Sequence, residues 1–300
     1  MKRPFHTLDV FTQTALAGAP LAVVSAADGL DTARMQAIAR EFNLSETAFV
    51  LPPRDPIHTA RLRIFTPTAE ASFAGHPTVG AAVLIAGLRA PEFAGGRDLA
   101  VVLEEATGPV RCHVRLNRAG ASFCYFELPV APWRVCDADA GALAEALGLA
   151  ADDIGFDAHR PQVWSAGAPI CFVPVRSLAA IGRAAPHPAL LGAAAAGGRG
   201  VFLYTRETIA PDHAAHARVF GVDIGAREEP ATAAAAAAFA GVAVAFEAPP
   251  DGAHDLILEQ GYEMGRPSQI VVGLQVENGA LARATIGGHA VRVSDGTLNL

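Results

Sequence analysis

A chain of 300 residues that is 51% hydrophobic and 18% charged has globular composition and the length of two domains. Its net charge of −7 comes with scattered basic residues, so neither nucleic acid nor a membrane surface is an expected partner. Lys2 is the only lysine, which excludes a Schiff-base enzyme built on an internal lysine and any GxxxxGK[ST] phosphate loop.

His6–Phe11 reads as a strand, Gly18-Ala19-Pro20 as a turn and Leu21–Val24 as a second strand. Asp31 is placed to cap a helix carrying Met35, Ile38, Ala39 and Phe42 on one face. Strands Ser45–Leu51 and His58–Phe65 flank the turn Pro52-Pro53-Arg54-Asp55. Thr78–Leu88 is apolar on every side, the pattern of a helix buried all round. Three more strands follow, Leu99–Leu103, Val110–Leu116 and Ser122–Leu128.

The order then repeats. Phe65 answers Phe220 at an offset of 155, and Pro77 answers Pro230 at an offset of 153. Thr232–Gly241 is a second all-apolar helix. One offset of about half the chain implies a duplicated domain. The expected boundary lies before the spacer Ala131–Leu149, giving domains 1–128 and 129–300, with the last strand free to pack back on the first. Strands that do not alternate with helices cannot form a doubly wound sheet, so the fold class is α+β. Each half is expected to curl a mostly antiparallel sheet around its apolar helix, with a ligand cleft between the halves. The longest apolar run, Ala233–Phe246, is too short to span a bilayer. Four cysteines without a CxxC pair, and no signal-peptide core in the opening residues, suggest reduced thiols in a cytoplasmic protein.

Two constellations could carry chemistry. Gly75-His76-Pro77-Thr78 precedes the first apolar helix, with Pro77 read at its first position and the N–H groups of Thr78, Val79 and Gly80 as free donors for an anion. Glu228-Glu229-Pro230-Ala231-Thr232 reads as the same device before the second helix. Both could equally be ordinary helix starts. In Asn43–Val50, strand alternation puts Glu46 on one face with Ala48 and Val50, where lost hydration raises a carboxyl toward the range of a general acid/base. Alternatively, Ser45 and Glu46 only end the preceding helix. His213 and His216 fall on opposite faces of a strand and read as solvated, not as a metal pair. Cys171 reads as core. Gly198-Arg199-Gly200 is no dinucleotide fingerprint, and GxSxG and HExxH are absent.

The stretches HTLDVFTQTALAGAPLAVV, NLSETAFV, RIFTPTAEASFAGHPTVGAA, HARVFGVDIGAREEPATAAAA and GYEMGRPSQI resemble the PhzF family, relatives of the diaminopimelate epimerases. The resemblance implies two epimerase-like domains and a proton-transfer isomerase, typified by the phenazine enzyme acting on a dihydro-hydroxyanthranilate. It implies no cofactor, no metal, a small anionic substrate and a homodimer. The family's catalytic glutamate falls on Glu46, its Gly-His pair on Gly75 and His76, and its second acid on Glu229. Substrate contacts fall on Ala19, Ser45, Gly75, Thr78, Thr232, Ala233 and Ala234. The chain departs from the family's GNP at Gly18-Ala19-Pro20, and from DPATGS at Glu229-Pro230-Ala231-Thr232-Ala233-Ala234. These departures leave a second expectation open, a binding or regulatory protein that kept the fold and lost turnover.

Overall fold

The computed structural model describes residues 2–222 and 227–300. In chain order the elements are β1 (Lys2–Val10), β2 (Ala19–Val24), α1 (Thr32–Phe42), β3 (Glu46–Leu51), β4 (Ala60–Phe65), β5 (Glu70–Ala71), α2 (Gly75–Arg89), β6 (Leu99–Glu105), β7 (Gly108–Arg115) and β8 (Ser122–Glu127). They continue with β9 (Trp133–Asp137), α3 (Ala140–Leu147), β10 (Gln162–Ser165), β11 (Pro169–Pro174), α4 (Leu178–Arg183), α5 (Pro188–Ala194), β12 (Gly200–Thr205), β13 (Ala215–Gly221) and β14 (Arg227–Glu229). The chain ends with α6 (Ala233–Glu247), β15 (Gly252–Gln260), β16 (Ser268–Glu277) and β17 (Ala280–Asn299).

The chain divides into two compact units. One comprises Met1–Glu127 with Gly287–Leu300, the other Leu128–Ile286. The second boundary falls inside β17, whose later residues pair antiparallel with β1 from Lys2↔Asn299 to Val10↔Ala290. The spacer Ala131–Leu149 holds β9, which pairs with β10, and α3. Alternation is poor in Trp133–Asp137 because this strand is mostly exposed.

In the first unit β17, β1, β2, β3, β4, β6, β7 and β8 pair in succession, and β8 returns to β17, so the sheet closes on itself. β2–β3 and β4–β6 are parallel, and β1–β17, β1–β2, β3–β4, β6–β7 and β7–β8 antiparallel. α2 fills the interior, with every residue from Gly75 to Ala86 buried. An apolar helix needs a partner on each side, and a curled sheet supplies it. Close approach requires Gly80, where a Cβ would lie 2.5 Å from Leu21 Cδ2 and 2.9 Å from Val10 Cγ2. α1 covers the outside, where Met35, Ile38 and Ala39 cluster with Val24, Phe49, Leu51 and Phe65.

The second unit repeats this plan. β11–β12 is parallel like β2–β3, and β13–β15 parallel like β4–β6. α6 packs against β9, β10, β11 and β16. Gly241 brings it to Trp164, whose Cζ3 would stand 2.6 Å from an added Cβ.

The halves also share an unanticipated clamp. Glu104 accepts the Arg54 and Asp55 N–H groups and lies 2.9 Å from His58 Nδ1. Those backbone donors first, then His58, hold its carboxyl down to about 2. At the same offset of 155, Glu259 accepts the Ile209 and Ala210 N–H groups, with His213 Nδ1 and His216 Nδ1 both at 2.7 Å. The reading of His213 and His216 as solvated residues on opposite faces is therefore wrong. β13 begins only at Ala215, so His213 sits in the turn before it, free of strand alternation, and both rings converge on one buried carboxylate. Cys171 is core, with no exposed surface.

Candidate active site

The first group of candidate residues lies in the first unit. Asn43 ends α1 in the left-handed conformation, so Ser45 and Glu46 do not cap that helix. Glu46 is the first residue of β3 and pairs with Leu21 of β2. Phe49 and Leu51 join the α1 cluster, so by alternation Glu46, Ala48 and Val50 face the other way, toward α2. There His76 Nδ1 stands 3.0 Å from Glu46 Oε2, with side-chain exposures of 8% and 20%. Loss of hydration pushes the Glu46 carboxyl from 4.5 up to about 7.

The helix start differs from the sequence reading. α2 begins at Gly75, so Pro77 is its third residue, not its first. Proline is tolerated there because none of the first three N–H groups can bond within the helix. The first two positions of the helix are therefore Gly75 and His76. The Thr78 N–H bonds to the Ala74 carbonyl at 3.2 Å, and Val79 and Gly80 lie deeper in the helix. Thr78 has no exposed surface, and its hydroxyl bonds to Ala74 O and Glu105. Ala74 offers no side-chain cap, whereas α1, α3 and α4 are capped by Asp31, Asp139 and Ser177. Ala19 is 2% exposed and opens β2 opposite Val10, after Gly18 turns the chain at φ +65°. Ser45 is half-buried between α1 and β3.

The second group lies in the second unit. Pro230 does not start α6 but precedes its N-cap, Thr232, by two residues. The repeat therefore shifts here: the helix starts Gly75 and Ala233 differ by 158, so His76 answers Ala234, and the Pro77–Pro230 match is accidental. Glu228 and Glu229 end β14 on opposite faces. Glu228 forms a two-pronged pair with Arg218, at 2.9 and 2.8 Å. The Thr232 hydroxyl does not cap the helix; Gln260 holds it, donating from Nε2 to Thr232 Oγ1 and to Glu229 O while accepting the Thr232 N–H. Ala233 is buried and Ala234 exposed at the first turn. Gln260 and Glu105, missed from sequence, sit at the 155 offset in the last position of β15 and β6.

The described residues of this arrangement match a known group of proteins. Residues 8–296 match the PhzC-PhzF family, described as phenazine biosynthesis-like protein. An uncharacterized isomerase of Mesorhizobium japonicum is 49% identical over 99% of this chain and 98% of its own. The trans-2,3-dihydro-3-hydroxyanthranilate isomerase of Pseudomonas aeruginosa is 30% identical over 97% of this chain and 98% of its own. The Bacillus anthracis phenazine biosynthesis protein of the PhzF family superposes with a TM-score of 0.88 at 26% identity, covering all of both chains. The fold is thus the two-part, diaminopimelate-epimerase-like α+β fold, and the chain belongs to the PhzC-PhzF family and is an enzyme of the isomerase class.

Proposed function

We propose that the protein is a cofactor-independent isomerase or epimerase in which Glu46 moves a proton between two carbons of a small anionic substrate. The observation that carries this reading is the buried Glu46–His76 pair at 3.0 Å, with the Glu46 carboxyl raised to about 7. A group half-protonated near neutral pH can both take and give a proton, the requirement of an isomerisation. His76 hydrogen-bonds the substrate and orients the Glu46 carboxyl. The start of α2, which has no side-chain cap, suits an anionic group of the substrate. Glu229 is the candidate second acid, and the first turn of α6 a second set of N–H donors.

The substrate differs from that of the phenazine isomerases. The exposed Ala234 lacks the serine hydroxyl of the family pattern, Ala233 replaces a glycine, Ala19 lacks an amide, and Glu229 is one methylene longer than aspartate. A hydrogen bond lost from a charged group is worth ~1.5–3 kcal/mol, about one to two orders of magnitude in affinity. The changes suit a ligand less polar at that end.

Incubation in deuterated water with a panel of cyclic and amino-acid substrates tests the reading. A turned-over compound should carry deuterium at carbon, and protein dialysed against chelator should do the same at the same rate. Isomerisation that survives Glu46→Gln, or activity lost on dialysis and restored by a metal, would overturn it.

A further inference from the structure

Glu105 closes β6 with only 8% of its surface exposed. Its Oε1 lies 2.7 Å from Thr78 Oγ1. The same hydroxyl lies 2.8 Å from the Ala74 carbonyl oxygen, one helical turn back. A threonine hydroxyl has one proton, and a carbonyl oxygen can only accept it. If that proton goes to Ala74, the contact with Glu105 needs a proton on the carboxyl. If Glu105 were ionised instead, one proton would serve two acceptors and a buried anion would be left nearly bare.

No ion pair compensates such an anion. Among the described residues, no arginine, lysine or histidine nitrogen lies within 4.0 Å of Glu105. Oε2 has no hydrogen-bond partner. The charged groups sharing its pocket are Arg54 before β4, Arg61 and Arg63 on β4, Glu70 on β5 and the adjacent Glu104. Arg63 is spent on Glu70, and Glu104 on two backbone N–H groups and His58. From α2 the group facing Glu105 is Thr78, and its partner on β7 is Gly108, which has no side chain.

The second half builds the same place with an amide. Arg61 pairs with Glu104 across β4–β6 as His216 pairs with Glu259 across β13–β15, so the next residues, Glu105 and Gln260, are equivalent. Gln260 is 1% exposed and donates to Thr232 Oγ1 at the start of α6. A glutamine is always a neutral donor; a glutamate is one only when protonated.

We propose that Glu105 is held as a neutral carboxylic acid that donates its proton to Thr78, fixes the first turn of α2, and thereby acts as a positioning residue for His76. Its effect on catalysis rests on the reading of His76 given above; its protonation does not. Burial pushes its carboxyl up to about 8, against the smaller opposing effect of Thr78. Above that range the donor is lost and the first turn of α2 loosens.

Infrared difference spectra of wild type minus Glu105→Gln test the protonation without any substrate. At about pH 6 the un-ionised carboxylic acid carbonyl band should appear, and at about pH 10 a carboxylate band should replace it. A carboxylate band already at about pH 6 overturns the proposal. Positioning is read from the His76 imidazole resonances. They should move near pH 7 in both proteins as the adjacent Glu46 ionises, show a second step near pH 8 in wild type alone, and sit displaced in Thr78→Val throughout. A second step near pH 8 that persists unchanged in Glu105→Gln would show that Glu105 does not position His76. Failure to find a substrate leaves both readouts standing, so the two readings fail separately.

Discussion

Replacing Glu46 by glutamine removes the proposed proton carrier while keeping its shape, and the structure sets two opposite effects on the variant. Turnover should fall by ~10²–10⁴, the usual contribution of a general acid/base. Stability should rise, and with a definite pH dependence. The folded protein holds the Glu46 carboxyl at about 7 against 4.5 for the exposed group. At ~1.4 kcal/mol per pH unit, ionising it in place costs the folded state ~3 kcal/mol. The side chain keeps a fifth of its surface, and ionised Glu46 can accept from His76 at 3.0 Å, so ~3 kcal/mol is an upper figure. The sign follows from proton counts: between 4.5 and about 7 the folded state binds the extra proton, so wild-type stability declines as pH rises through that window. Glutamine has no such window. Melts of the two proteins should coincide near pH 4.5 and separate by several degrees near pH 8, the variant being the more stable. The rate profile of the wild type should break near pH 7. Parallel melting curves across this range would show that folding does not desolvate Glu46. Near-wild-type turnover in the glutamine variant would remove it from the mechanism.

Dihydro-hydroxyanthranilate should be a poor substrate for the wild type, and the combined Ala19→Asn, Glu229→Asp, Ala233→Gly, Ala234→Ser variant should gain on it; efficient wild-type turnover would show that these positions do not set specificity. Light scattering should give a homodimer, and one 31.0 kDa chain per particle at micromolar concentration would refute that. Glu259→Gln should cost ~2–3 kcal/mol at neutral pH, since an amide cannot accept two backbone N–H groups and two histidines at once. Burial pushes Glu259 up, but those donors outweigh it and hold the carboxyl below its usual range. The stabilisation is present above about pH 4.5 and fades as pH falls through the lowered folded value, so chemical denaturation should show the gap to wild type closing in acid.

Helix α2 and strand β3 were legible because their patterns are unambiguous: twelve successive buried residues in one, and a carboxylate among apolar neighbours in the other. Asp31 and Asp139 marked their helices by capping chemistry. The first turns were misplaced because proline punctuates a helix start without fixing which of the first three positions it takes. That error of two residues put Thr78, Val79 and Gly80 at a helix start that Gly75 and His76 occupy. Glu105, Gln260 and the Glu104 and Glu259 clamps gave no local signal. Each is one polar residue near the end of an alternating strand, and its role depends on a loop or helix some 25 to 50 residues away in the chain. Only aligning the two halves residue by residue at offset 155 exposes them.

The way the halves diverge separates what the fold needs from what the ligand needs. Both keep a carboxylate at the clamp position, because Glu104 and Glu259 each satisfy two backbone N–H groups that would otherwise lack partners. Both keep a neutral donor at the end of the next strand under the present proposal, Glu105 as acid and Gln260 as amide, because each helix start needs its threonine hydroxyl held. At the first helical turn the constraint disappears. Gly75 and His76 lie buried beside Glu46, whereas Ala234 is exposed, where exchanging alanine for serine moves stability by no more than ~0.5 kcal/mol. Alanine in place of glycine at position 233 favours the helix by about 1 kcal/mol. Folding therefore tolerates either pair at the start of α6. Under the proposed function the residues found there answer to the bound molecule, with substrate choice assigned to this turn and proton transfer to the other.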